Sequence, residues 1–179
     1  ADKKDIVVTT DPAVMEAELA KGGKVLFVPD YKKLNGLEGK FVQVFWSPVH
    51  FPHQAGTMGL FLNPSNPAFA DFPTEFHTNW QWWSLLKQSK TLVIDELPEL
   101  TPVVEMVDNF AKNRRLANLI EVKVGDGQLM FSSMDLLSDW KNRPEAKQLY
   151  HSLINYMNSD KFAPATNVEV EQLRGFYTK

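Results

Sequence analysis

The sequence predicts an α/β domain: a doubly wound, mostly parallel sheet with helices on both faces, ending in a β-hairpin and a helix. Three observations predict it. Short apolar runs alternate with helical stretches along the chain. Residues 5–29 read as β–α–β, for which a right-handed crossover into a parallel sheet is the default. Residues 116–136 read as a hairpin about Asp126-Gly127. We assign residues 1–160 to one α/β domain and 161–179 to a C-terminal tail.

The elements follow in order. "DIVVTT" (5–10) is a short β-branched run. In "DPAVMEAELAKGG", Asp11 is placed to cap a helix, Pro12 suits its first position, and Gly22 or Gly23 ends it. "KVLFVP" (24–29) is apolar almost throughout, as a strand covered on both faces is. "KFVQVFW" (40–46) is the next strand. Residues 47–76 carry Pro48, Pro52, Pro64, Pro67 and Pro73, and irregular stretches of this length usually form an interface or a site. A short helix is expected within it at "TMGLFL" (57–62). Thr78 and Gln81 have capping-box spacing and predict a helix start.

"TLVID" (91–95) reads as a buried strand, and "PVVEMVD" (102–108) is β-rich. Strands 24–28, 41–46 and 91–95 are expected to be central and parallel. In "RPEAKQLYHSLINYM", Ala146, Leu149, Tyr150, Leu153, Ile154 and Met157 share one helical face. This helix, 144–158, is expected on one face of the sheet. The tail is expected to hold one more short helix.

The 179 residues fit one domain. Hydrophobic residues make up 44% and charged residues 23%, ordinary values for a globular fold. The net charge of −3 and pI of about 5.8 argue against nucleic acid as a main partner. No apolar run approaches the roughly 20 residues of a membrane helix, so no membrane partner is expected. "ADKKDIVV" lacks the apolar core of a signal peptide. With no cysteine, disulfides, thiolate metal sites and a cysteine nucleophile are excluded.

The first βα turn, "TTDPA", lacks the glycines of a dinucleotide site. There is no phosphate-binding P-loop and no G-x-S-x-G elbow. No cofactor is therefore expected. "HFPH" places His50 and His53 close together, but Pro52 disfavours a helical pair. A zinc site there would need carboxylates such as Asp71 or Glu75 from the same loop. Loop histidines bonded to backbone are the simpler reading, and no metal site is expected. His151 falls off its helix's apolar stripe and reads as surface. Asp95, Glu96, Asp108 and Asp135 end strands or follow the hairpin. That position suits ligands in open α/β sheets, but Asp also favours turns and caps, and we read them so.

The stretch "EFHTNWQWWSLL" (75–86) puts three of five tryptophans into four positions. On a helix starting at Thr78, Trp82, Leu85 and Leu86 share a face with Trp83 at its shoulder. Trp80 turns away by about 200°, at roughly 100° per residue. The cluster is thus not one flat platform. Trp82 and Trp83 are expected in core packing, and Trp80 needs a second surface: the proline-rich segment, a sugar or a neighbouring domain.

Residues 45–95 ("FWSPVHFPHQAGTMGLFLNPSNPAFADFPTEFHTNWQWWSLLKQSKTLVID"), then "DNFAKNRRLANLIEVKVGDGQLMFSSMDL" and "RPEAKQLYHSLINYM", resemble a C-terminal region of Bacteroidetes-type family 2 glycoside hydrolases of the β-galactosidase class. The resemblance covers roughly residues 40–158. It implies a flavodoxin-like, class I glutamine amidotransferase-like domain, a glycoside-hydrolysing parent, and a periplasmic or extracellular location. Neither chemistry carries over residue by residue. The amidotransferase nucleophile is a cysteine, and the glycosidase needs a (β/α)₈ barrel of about 250 residues with two carboxylates. The expectation is a non-catalytic accessory domain whose partners are the parent's other domains. The alternatives are a carbohydrate-binding module, with glycan as partner, and a free-standing hydrolase. Candidate contact residues are Trp80, Trp46, His50, His53, Gln54, Glu75, His77 and Asn79.

Overall fold

The computed structural model describes residues 5–39, 50 and 57–178. The N-terminal unit forms as its residues dictate. Strand β1 (Ile6–Thr9) leads to helix α1 (Pro12–Ala20) and strand β2 (Lys24–Phe27). Asp11 Oδ1 accepts the Ala13 N–H at 2.8 Å, capping α1, and Pro12 takes the first helical position. Gly22 ends α1 with a φ of 74°, a conformation that suits glycine.

The remaining strands are β3 (Thr57–Leu62), β4 (Leu92–Val93), β5 (Val104–Asp108), β6 (Leu116–Val124) and β7 (Gly127–Ser132). The helices are α2 (Trp80–Lys87), α3 (Pro144–Met157) and α4 (Val170–Arg174). Among the described residues the sheet runs β1-β2-β7-β6-β5-β3, with β4 also paired to β6. The architecture is α/β, with helices on both faces. The sheet is mixed: β1–β2 and β2–β7 are parallel, while β7–β6, β6–β5, β6–β4 and β5–β3 are antiparallel.

Alternation along the strands sends side chains into two cores. Val25 and Phe27 join Met15, Leu19, Ile120, Phe131 and Leu173 on the face covered by α1 and α4. Leu26 and Met130 join Trp82, Leu85, Leu149 and Leu153 on the face covered by α2 and α3. The hairpin β6–β7 closes at Val124↔Gly127, and Gly125 supplies a φ of 57° for the two-residue turn.

Several expectations need correcting. Residues 57–62 form strand β3, not a helix; they pair with β5 through a bulge between Thr57 and Gly59. Residues 91–95 are not a central parallel strand. Only Leu92–Val93 pairs with β6, and it does so antiparallel, while Thr91 bridges Leu37. The Thr78–Gln81 capping box does not form. The Thr78 hydroxyl accepts the Leu60 N–H at 2.7 Å, Gln81 Nε2 donates to the Pro73 carbonyl at 3.0 Å, and α2 begins at Trp80. The expected strand 41–46 lies outside the described residues.

Helix α3 packs on one face of the sheet as expected. Its buried stripe is turned toward Ser152 and Tyr156, leaving Tyr150 and Ile154 half-buried and His151 exposed. Residues 161–178, assigned above to a tail, add Phe162, Val168, Leu173 and Phe176 to the cores. The Lys123 N–H donates to the Thr166 carbonyl and the Val168 N–H to the Lys123 carbonyl, both at 2.8 Å, so this segment lies beside β6.

Candidate functional site: the aromatic edge between β3 and α2

Among the described residues β3 is an outer strand of the sheet, and residues 76–78 lie along its other side. The Leu62 N–H donates to the Phe76 carbonyl at 3.0 Å, and Phe61 bridges His77. The bulge near Gly59 spaces the outward residues of β3 three apart, at Met58 and Phe61. Both are exposed, Phe61 at 57%.

The chain from Asn66 to Thr74 is anchored on α3 and α2. Asn66 Oδ1 caps a short 3-10 turn at Pro67–Phe69 by accepting the Ala68 N–H at 2.9 Å. The Ser152 hydroxyl donates to the Ala68 carbonyl at 2.7 Å and accepts the Asp71 N–H at 3.2 Å. Asn155 Nδ2 donates to Asp71 Oδ2 at 2.7 Å, so Asp71 serves the anchor. Phe69 and Phe72 are buried, each edge-on to Trp82 at centroid distances of 5.8 and 5.3 Å. Large apolar side chains just beyond this anchored segment are left exposed.

Those side chains are Phe76, 61% exposed, and Trp80, 83% exposed at the start of α2. Trp82 is fully buried and Trp83 half-buried, so the helical separation of Trp80 from Trp82 holds. Of the polar candidates, Glu75 Oε2 and His77 Nε2 lie 3.6 Å apart, both well exposed, and His77 Nδ1 is 3.1 Å from the Thr78 carbonyl. The Asn79 side-chain oxygen is buried with no hydrogen-bond partner among the described residues. His50 is exposed. Trp46, His53 and Gln54 lie outside the described residues. Among the described residues, no group of three or more His, Asp or Glu side chains could hold a metal ion.

Phe110, 67% exposed, is a further exposed aromatic that sequence reasoning missed. It follows β5, whose Asp108 pairs with Thr57 of β3. Hydrogen bonds brace the turn that carries it. The Asp108 carboxylate accepts the N–H groups of Asn109 and Arg114 at 2.8 and 2.9 Å, and Arg114 Nε at 2.8 Å. Burial pushes the Asp108 carboxyl up. The Arg114 side chain and the two backbone donors outweigh it and hold the group below the usual carboxylate range. The sequence signal was a lone phenylalanine in the polar turn "DNFAKN", which periodicity does not register.

Of the other strand-end carboxylates, Asp135 braces its own turn, whereas Asp95 reaches across the fold to the start of β6. Asp95 Oδ1 accepts the Arg115 N–H at 2.8 Å, and Asp135 Oδ1 accepts the N–H groups of Leu137 and Ser138 at 2.9 and 3.1 Å. Fixed apolar projections with few converging polar atoms suit adhesion to another surface better than bond chemistry.

A model of the family described as a domain of unknown function (DUF8487) matches residues 6–178. The chain belongs to that family. No curated protein matches it. The family match spans β1 through α4, so the aromatic edge lies inside the domain. No helix among the described residues is long and apolar enough to cross a membrane.

Proposed function

We propose that this chain is a non-catalytic accessory domain of a larger family 2 glycoside hydrolase of the β-galactosidase class, and that it docks on the parent's other domains through the aromatic edge. The flavodoxin-like, amidotransferase-like kinship and the periplasmic or extracellular location belong to the same proposal. The resemblance over residues 40–158 supports the parent. The observation that carries the docking is the joint exposure of Phe61, Phe76 and Trp80, with Phe61 bridged to His77 between the other two in the chain. Mixed aromatic and aliphatic exposure is what a domain interface within a polypeptide presents.

Trp80 also favours a second reading, a carbohydrate-binding module. Its ring is 83% exposed, and Glu75 and His77 are near it in the chain. A sugar site joins one or two ring faces to several placed polar groups, and here the exposed apolar side chains outnumber the polar ones.

Two measurements test the proposal. The reading frame around residues 1–179 is expected to encode a (β/α)₈ barrel with paired carboxylates. The purified chain is expected to leave aryl glycosides intact. A frame without a barrel, or aryl-glycoside turnover with contaminating hydrolases excluded, contradicts it.

A further inference from the structure

A cavity of about 420 Å³ opens between the chain following β2 and the C-terminal end of α2, within the size range of small-molecule sites. Its walls include Tyr31 and Lys32 from the first, Trp83 and Lys87 from the second and Lys90 just beyond it, with Glu38 at one side. The place is set by the parallel part of the sheet. Tyr31 follows the carboxyl end of β2, the Lys90 N–H donates to the Ser133 carbonyl at 3.2 Å, and Ser133 follows β7. Beyond the carboxyl ends of parallel strands is where open α/β sheets hold ligands.

Positive charge predominates in this cavity, three lysines against the single carboxylate of Glu38. Three ammonium groups line it, and among the described residues none of the three forms an ion pair. Two of them rest on aromatic rings instead: Lys87 Nζ is 5.0 Å from the Trp83 ring centroid, and Lys32 Nζ is 5.9 Å from that of Tyr31. A ring holds a lysine near one position without neutralising it. Like charges gathered in a concave, low-dielectric wall focus a positive potential on its interior.

We infer that this cavity binds a small ring-bearing oxyanion, a carboxylate, sulfate ester or phosphate ester, with its charge among Lys32, Lys87 and Lys90 and its apolar face on the aromatic wall. Neutral rings lack the charge, and a bare inorganic anion leaves the wall of Tyr31 and Trp83 unused. The site is separate from the docking reading and stands or falls without it.

The test is a heteronuclear NMR titration of the chain with galacturonate, galactose 6-sulfate and glucose 6-phosphate, with galactose and inorganic sulfate as controls. At least one charged sugar is expected to give saturable shifts at the Trp83 indole and at the amides of residues 87–90. The Lys87→Gln/Lys90→Gln variant is expected to bind it at least tenfold more weakly with its spectrum otherwise preserved. If that variant does not fold, Lys32→Gln carries the same expectation. The ester or acid that responds identifies the oxyanion. No saturable shift with any charged sugar overturns the inference, as does binding insensitive to the lysine substitutions. Equal affinity for galactose or for inorganic sulfate also overturns it.

Discussion

The Trp82 indole N–H donates to the Thr74 hydroxyl at 2.8 Å, tying the proline-rich segment to the helix that carries Trp80. Thr74→Val keeps the shape of the side chain and removes the acceptor, leaving a buried N–H without a partner. The expected cost is about 1–3 kcal/mol in urea unfolding. Thr74→Ser, which retains the hydroxyl, is expected to recover most of it. Equal stability of the two variants would show that the bond does not anchor the segment.

Trp82 and Trp80 are two residues apart and have opposite environments. Trp82→Ala removes a fully buried ring packed by Phe69 and Phe72, and is expected to cost about 3–5 kcal/mol. Trp80→Ala removes an exposed ring and is expected to change stability by less than about 0.5 kcal/mol. Thermal melts of the two variants check this. A large loss from Trp80→Ala would make it a core residue and remove it from the docking surface.

Acid is expected to loosen the turn that carries Phe110. Asp108 is held below the usual carboxylate range, so its contribution is fully present above the unfolded-state value of about 4 and is lost as pH falls through the folded-state value. Glu16 behaves alike, chiefly because Arg174 donates to it at 2.7 and 3.0 Å. Asp108→Asn is expected to flatten the acid side of the stability profile. An unchanged acid limb in that variant would show that other carboxylates set it.

Glu121 runs the other way. Burial raises its carboxyl above the usual range, more than the hydrogen bond from the Tyr156 hydroxyl at 2.8 Å lowers it. A raised carboxyl contributes stability that is present below about pH 4 and lost as pH rises through the folded-state value. Glu121→Gln keeps an acceptor for Tyr156 and carries no charge. It is expected to gain stability relative to the natural chain as pH rises from about 4 to about 7, read as urea midpoints across that range. A constant difference between the two across the range would refute the assignment.

Much of the fold was legible where one residue type does one job. Asp11, Pro12 and Gly22 delimit α1, the hairpin forms within 116–136 with its turn at Gly125-Asp126, one residue before the expected Asp126-Gly127, and the apolar spacing of 146–157 sets α3. Strand direction was not legible, because a buried strand such as Leu92–Val93 shows the same apolar residues whether its neighbour runs parallel or antiparallel. Strand β3 was misread for a traceable reason. Its bulge breaks the period of two, so Met58 and Phe61 face outward three residues apart, a helical spacing. Thr78 and Gln81 matched a cap by spacing, but each found a tertiary partner instead. The lysine cavity was illegible because Lys32 and Lys87 meet only through the fold.

The central claim is that the edge bearing Phe61, Phe76 and Trp80 is covered by another domain of the same polypeptide. Hydrogen–deuterium exchange compares residues 57–62 and 76–83 in the isolated chain and in the complete polypeptide that contains it. The account predicts slower exchange of both stretches in the complete polypeptide, and return to the isolated-chain rate when Phe61 and Trp80 are both replaced by Asp. Equal exchange in the two contexts would contradict it. So would calorimetric binding of a neutral saccharide by the isolated chain that Trp80→Ala abolishes.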